Sequence, residues 1–208
     1  MPRGETMTWA ILAATLAFAG PAAGGEMNSL SKAEVADGWM LLFDGSTTFG
    51  WETFGSAKWK VADGALVSDE GTGWILTTTE FTDFTLKAEF RVGDGGNSGI
   101  AFRAARGPKP YETGFEMQIG DHMPKEPTGS IEHVAAARGG ARKPSSWQSA
   151  IITAQGDHLT VVLDGNKLVD THSPKYARGV IGFQRGDPQR KVEFRNVILK
   201  PLSRKPAK

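Results

Sequence analysis

Polar and apolar residues alternate without a break from Thr85 to Val92, with Leu86, Ala88, Phe90 and Val92 on one side, joined by Phe84, and Thr85, Lys87, Glu89 and Arg91 on the other. A period of two sends successive side chains to opposite faces of a sheet, so the stretch predicts a strand with one buried and one wet face. The same rhythm recurs at Gly99 to Ala104 and at Gly114 to Ile119. Further strands are predicted at Trp39 to Phe43, Gly73 to Thr77, Trp147 to Thr153, Val180 to Gln184 and Lys191 to Leu199. Two hairpins join Trp59 to Ala62 with Ala65 to Val67 and Leu159 to Leu163 with Lys167 to Thr171, through Asp63-Gly64 and Asp164-Gly165-Asn166. Asp-Gly accepts the positive φ that a tight hairpin turn needs. One short helix is predicted over Met27 to Ala36, with Asn28 or Ser29 as its cap.

No helical pattern is long enough to cover a sheet, so the predicted sheets must bury each other. Two antiparallel sheets face to face are the economical answer, because each βαβ crossover needs a helix. The 26 glycines are spread through turns and form no spacer. The expected organisation is one all-β sandwich domain over residues 30–202.

Composition changes this picture mainly at the ends. A lone Arg3, an apolar run from Trp9 to Phe18 and the small-residue sequences Ala17-Phe18-Ala19 and Ala22-Ala23 read as a secretory signal peptide cleaved after Ala19 or Ala23. Glu5 weakens the positive start, which leaves an uncleaved anchor as the alternative. A periplasmic or secreted product is expected, and with no Cys in the chain an oxidising compartment leaves its fold untouched. Cleavage leaves roughly 185 residues, enough for one sizeable core. The net charge of +1 is balanced, against the concentrated basic face that nucleic acid binding requires. The basic cluster Arg204, Lys205 and Lys208 is expected to fray in solvent.

The candidate chemistry lies in Asn97 to Arg103 and Tyr111 to Asp121. In the first, Ile100 and Phe102 face the core while Asn97, Gly99, Ala101 and Arg103 share the polar side. In the second, Glu116 and Gln118 oppose Phe115, Met117 and Ile119. Gly99 and Ala101 leave a trough between longer neighbours, a shape that suits a sugar ring. Glu116 is the acid or base candidate, since partial burial raises a carboxyl pKa toward the working range. Gln118 orients a hydroxyl, and Arg103 either serves the site or pairs structurally with Glu116. Lys87 and Glu89 belong either to a substrate-binding face or to a cross-strand ion ladder.

The stretch after Ile119 is a loop, since Pro124, Pro127 and Gly129 interrupt any strand. It is a candidate cleft wall. Asp121 and His122 are candidate substrate ligands. With Glu132 and His133 they are also the candidates for a divalent metal, at a spacing that matches no standard signature. Trp51 and Trp74 are candidates for stacking on a pyranose, and Tyr111, read as the start of the long polar strand, is a substrate-binding candidate whose hydroxyl needs a partner if buried. Trp147 is read either as a plug for the sandwich end or as a ligand contact. His158 and His172 read as solvated turn residues. The chain contains no nucleophile elbow, Rossmann glycine motif, P-loop or zincin helix.

LLFDG at Leu41 to Gly45, WKVADGALV at Trp59 to Val67, DFTLKAEFR at Asp83 to Arg91, GGNSGIAFR at Gly95 to Arg103, YETGFEMQIGD at Tyr111 to Asp121, PTG at Pro127 to Gly129, LDGNKLVD at Leu163 to Asp170 and VEFRNVILKPL at Val192 to Leu202 resemble, in order, the 3-keto-disaccharide hydrolase domain family. The resemblance implies a concanavalin A-like jelly-roll sandwich and cleavage of glycosides whose C3 hydroxyl has been oxidised to a ketone. It implies a carbohydrate ligand, with Glu116 removing the C2 proton, Arg103 or a metal steadying the enolate, and His133, His122 or Asp121 supplying a proton. Where the family has PTGALYG-like residues this chain has PTGSIEHVAAA. A secreted glycan-binding module using the same trough without catalysis is the rival reading, and a surface scaffold with an apolar patch is the third.

Overall fold

The computed structural model describes residues 26–120, 123–139 and 142–203. The expected signal peptide with its cleavage positions, the basic tail from Arg204, and Asp121 and His122 lie outside the described residues. The chain enters through a short helix, α1 (Lys32–Ala36), that starts later than expected. Its cap is Ser31, because only Ser31 has a Glu three residues on. The Ser31 Oγ accepts the Glu34 N–H at 3.2 Å, and the Glu34 carboxylate accepts the Ser31 N–H at 2.9 Å. Asn28 instead forms a reciprocal pair with Asn196, each backbone N–H donating 2.8 Å to the other's side-chain oxygen.

The strands are β1 (Met40–Leu41), β2 (Trp51–Gly55), β3 (Trp59–Ala62), β4 (Ala65–Ser68), β5 (Gly73–Thr77), β6 (Phe84–Val92), β7 (Ser98–Ala104), β8 (Phe115–Ile119), β9 (Gln148–Gln155), β10 (His158–Leu163), β11 (Asn166–His172), β12 (Val180–Arg185) and β13 (Val192–Pro201). One sheet runs β11, β10, β9, β6, β13, β4, β3, with β1 also on β13, and the other runs β2, β5, β12, β7, β8. All pairings within these sheets are antiparallel. The expected all-β, two-sheet sandwich is the observed architecture. Both Asp-Gly turns have positive φ at both residues, 51° and 69° at Asp63 and Gly64 and 48° and 82° at Asp164 and Gly165, the geometry that follows the right-handed twist of the strands. Tyr111 does not begin a strand: Pro110 fixes φ for the first residue of a single helical turn, α2 (Pro110–Thr113), between β7 and β8.

Two aromatic columns join the sheets. Trp51 of β2 stacks on Phe183 of β12 at 5.1 Å, Phe183 stacks across the core on Phe194 of β13 at 4.1 Å, and Phe194 meets Trp59 of β3 at 6.2 Å. The second runs from Phe84 of β6 edge-on to Phe102 of β7 at 6.4 Å, then to Phe115 of β8 and Tyr176. Each buried Phe contributes about 1.5–3 kcal/mol by leaving water. Trp51 is therefore a core residue, its indole N–H donating to the Leu42 carbonyl at 2.7 Å, and not a stacking platform for sugar.

Arg103 breaks the alternation on which its expected position rested. Ala101 pairs with Gly182 and Ala104 with Val180, so β7 holds one more residue than β12 across that interval, and Arg103, at φ 51°, is the residue in left-handed conformation there. The bulge turns its side chain away from the Gly99 and Ala101 face. Its guanidinium donates to the Thr82 carbonyl at 2.7 Å, the Gly156 carbonyl at 2.7 Å and the Tyr176 carbonyl at 3.2 Å, and pairs with Asp83 at 2.9 Å. Both side chains are buried. Arg103 is a clamp closing one end of the sandwich, and it forms no pair with Glu116.

Replacing Arg103 by Met leaves Asp83 without its partner and the carbonyls without their donor. The expected loss is about 3–5 kcal/mol of unfolding free energy in urea titration. A loss under about 1 kcal/mol would show that the clamp contributes little.

Candidate functional site

Along β7 and β8 every residue is buried, including those that face away from the core. On β6 and β9, in the other sheet, burial alternates with half-exposure. The outer face of the five-stranded sheet is therefore covered where β7 and β8 run, and it is there that the polar residues collect. Glu116 lies opposite Ala101 and Gln118 opposite Gly99. On the other side of β7, Gly182 lies opposite Ala101. Gly99, Ala101 and Gly182 thus form a strip of backbone bare of long side chains, as the small residues predict.

That strip is occupied by a carboxyl group. A β-carbon at Gly99 would lie 2.7 Å from the Glu116 Cδ and 2.9 Å from its Cγ, and closer still to Oε1. Glu116 therefore lies flat across the sheet, on backbone that only glycine leaves open, and is 3% exposed. Burial, with the Glu132 carboxylate nearby, pushes the Glu116 carboxyl well above the usual carboxylate range.

Glu132 reaches this position by extending the sheet. Gly129 N–H donates to the Gln118 carbonyl at 2.9 Å, Gln118 N–H to the Ser130 carbonyl at 2.9 Å, and Glu132 N–H to the Glu116 carbonyl at 3.0 Å. Ile131 enters the core, bridged to Met117. Alternation then carries Glu132 to the outer side, toward Glu116. The expected loop thus continues the sheet beside β8 over residues 129–132.

Three side-chain amides complete the face. Gln118 is 1% exposed; its Oε1 accepts the Ile119 N–H at 3.2 Å, while its Nε2 has no partner. The Oε1 of Gln184 and the Oδ1 of Asn97 are likewise buried and unpartnered. They converge, since a β-carbon at Gly186 would meet Asn97 Nδ2 at 2.6 Å and Gln184 Oε1 at 2.8 Å. Buried amide atoms without partners are rare and costly, and three of them stand on this face. Gln184 is the residue that the sequence reading missed; the signal was its place two residues beyond Gly182 on the same strand face.

Other expected site residues are elsewhere. Lys87 pairs with Glu34 at 3.8 Å and lies over Trp39, and Glu89 pairs with Arg195 at 2.8 Å, all on the outer face of the other sheet. They form the ion ladder, not a substrate face. Trp147 lies there too, with the guanidinium groups of Arg195 and Arg91 at 4.0 and 4.7 Å from its ring. Trp74 is on the trough's face but buried, stacked at 6.4 Å on Tyr111, which is the exposed ring of the two. His133 has a side chain 81% exposed, 3.8 Å from Glu126, in an open hollow of about 780 Å³ whose walls include neither Glu116 nor Gln118. His158 and His172 form a stacked cross-strand pair at 4.8 Å, each bonded to an aspartate. Among the described residues no group of three or more His, Asp or Glu is placed to hold a metal ion, and no helix is long and apolar enough to cross a membrane.

Comparisons with known proteins agree with the fold. The family model of the 3-keto-alpha-glucoside-1,2-lyase-like domain matches residues 38–200. A protein of Bacteroides thetaiotaomicron named 3-keto-disaccharide hydrolase is 35% identical over 92 residues, 38% of this chain and 32% of its own length. The chain therefore matches about a third of that relative. The crystal structure of a candidate glycosyl hydrolase from Parabacteroides distasonis superposes with a TM-score of 0.77 at 26% identity, covering 86% of this chain and 100% of that one. The carbohydrate-binding module CBM66 of Bacillus subtilis has the same fold, with a TM-score of 0.59 at 18% identity over 73% of this chain and 95% of its own.

The raised Glu116 has a consequence for stability. Its native carboxyl keeps a proton to higher pH than the unfolded chain does, so in that window the native state binds more protons and stability falls as pH rises. Glu116→Gln removes this term. Its stability relative to wild type is expected to grow above about pH 4.3, the ordinary Glu value, when melting is compared between pH 4 and pH 8. An offset independent of pH would contradict a buried, titrating Glu116.

Proposed function

The chain belongs to the 3-keto-alpha-glucoside-1,2-lyase-like domain family, and on that premise we propose that it cleaves glycosides carrying a ketone at C3, with Glu116 as the group that moves the C2 proton. The observation that carries this reading is the carboxyl of Glu116, withdrawn from water on bare backbone, with the unpartnered Nε2 of Gln118 two residues along the same strand face. A desolvated carboxyl is a stronger base once ionised than one in water, as abstraction of a C–H proton requires.

The ketone acidifies the hydrogen on C2. Ionised Glu116 takes that proton, and the C–H electron pair moves into the C2–C3 bond as the C3 oxygen becomes an enolate. When the C3 carbonyl re-forms, the electrons move into C1–C2 and the bond from C1 to the aglycone oxygen breaks. That oxygen is protonated as it leaves. Water then adds its oxygen to C1 and a proton returns to C2, so the net reaction is hydrolysis.

Burial, with the Glu132 carboxylate nearby, raises the proton affinity of Glu116, so Glu116, once it carries the C2 proton, is the acid assigned to the leaving oxygen in this scheme. His133, exposed in a hollow that Glu116 does not line, is not given that role. Arg103, already bonded to Asp83 and to backbone carbonyls, takes no part. The route needs no carboxyl pair astride the glycosidic bond, as direct hydrolysis does.

The test is proton–deuterium exchange at C2 of a 3-keto glycoside in D2O. Wild-type protein is expected to catalyse exchange and cleavage, and to leave the parent 3-hydroxy glycoside intact. Glu116→Gln is expected to lower the exchange rate by about 10²–10⁴-fold, the usual worth of a positioned proton-transfer group. Wild-type protein that binds the 3-keto sugar without accelerating exchange would be a binding module, as the likeness to CBM66 in fold allows.

A further inference from the structure

We infer that the side-chain amide of Gln118 is the hydrogen-bond donor that holds the substrate's C3 oxygen as it becomes an enolate. This rests on the reading of Glu116 as the base at C2. Sequence reasoning gave the role to Arg103 or a metal and left Gln118 to orient a hydroxyl; the bulge in β7 removes Arg103 from the face.

The direction of the amide is fixed by its own contacts. Because Oε1 is held by the Ile119 N–H, Nε2 is the free end, and it is buried with no partner. A buried N–H left unpaired in the resting protein is a donor held ready for an acceptor. Glu116 and Gln118 stand two apart on β8, on the same face and opposite Ala101 and Gly99. Positions two apart on a strand are about 6.6 Å from one another. A carboxyl and an amide at that spacing can reach two neighbouring positions of one sugar ring, C2 and the oxygen on C3.

A neutral donor also suits Glu116 better than a cation. A guanidinium beside the carboxyl would stabilise its charge, lower its pKa and weaken it as a base. An amide N–H gives the enolate oxygen a partner without supplying a full charge to Glu116. The remaining orphans have the opposite polarity: Gln184 Oε1 and Asn97 Oδ1 are acceptors, so they match hydroxyl hydrogens. The sugar's carbonyl side therefore faces β8 and its hydroxyl side faces the end of β12.

The experiment measures C2 exchange on a 3-keto glycoside, with affinity for the parent glycoside measured in parallel, for wild type, Glu116→Gln, Gln118→Leu, Gln118→Glu and Gln184→Leu. Gln118→Leu is expected to lower kcat for exchange by about 10²–10³-fold, the worth of one oxyanion donor, while affinity for the parent glycoside stays within about threefold. Gln184→Leu is expected to raise KM and leave kcat within about threefold. A purely structural Gln118 would reduce the folded fraction, read by melting and near-UV circular dichroism, but not kcat per folded molecule. If Gln118→Leu does not fold, the isosteric Gln118→Glu decides: its added carboxylate should depress exchange and move the acid limb of the pH profile upward. Exchange within threefold of wild type in the folded Gln118 variants, with Glu116→Gln inactive, overturns the assignment. Absence of exchange by wild type overturns the reading of Glu116, and this assignment with it.

Discussion

A carboxyl group gives up several kcal/mol of hydration when it is taken out of water, and the face around Glu116 is arranged to keep it there. No side chain at Gly99 stands in its path, so the carboxyl can lie against the sheet. Its burial is completed on the open side of β8, where residues 129–132 add backbone hydrogen bonds to the strand. Phe115, Met117 and Ile119 hold β8 from beneath by filling the core. The stability of that core is what allows one ionisable group to sit in an unfavourable place.

The charge distribution over the two sheets follows from the same constraint. Cations are numerous on the eight-stranded sheet, where Lys87, Arg91 and Arg195 meet Glu34, Glu193 and Glu89 in half-solvated pairs and Trp147 lies against two guanidinium groups. Such pairs contribute little each. On the five-stranded sheet, the arginine nearest the trough in sequence is turned to Asp83. A buried ion pair adds little net stability but is expensive to break. Here it also keeps a positive charge off the face where one would neutralise the basicity of Glu116.

The alternation along β6 and β8, the two Asp-Gly turns and the small residues at Gly99 and Ala101 made the sandwich, the polar face and the bare strip legible in the sequence. They also singled out Glu116 and Gln118. What alternation cannot report is an extra residue: the bulge at Arg103 is set by pairing with β12, about eighty residues away along the chain, and it turns Arg103 off that face. Trp51, next to Gly50, reads as available for stacking on a sugar, yet pairing with β5 makes it the first residue of a strand and sends its ring into the core. Gln184 escaped notice because its neighbours across the sheet, Trp74 and β7, become visible only once strand order is known.

The pairing of residues 129–132 with β8 restricts how the wall of the trough can diverge. Side chains there obey the parity of a strand, so deleting or inserting one residue between Gly129 and Glu132 would exchange Ile131 with Glu132, exposing an apolar side chain and burying a charge in the core. Length changes beyond Glu132 escape that penalty, because after Ile131 closes on Ala135 the backbone no longer follows β8. Changes of length that the fold tolerates are thus confined to the stretch starting at His133, while residues 129–132 are held to the parity of their partner strand.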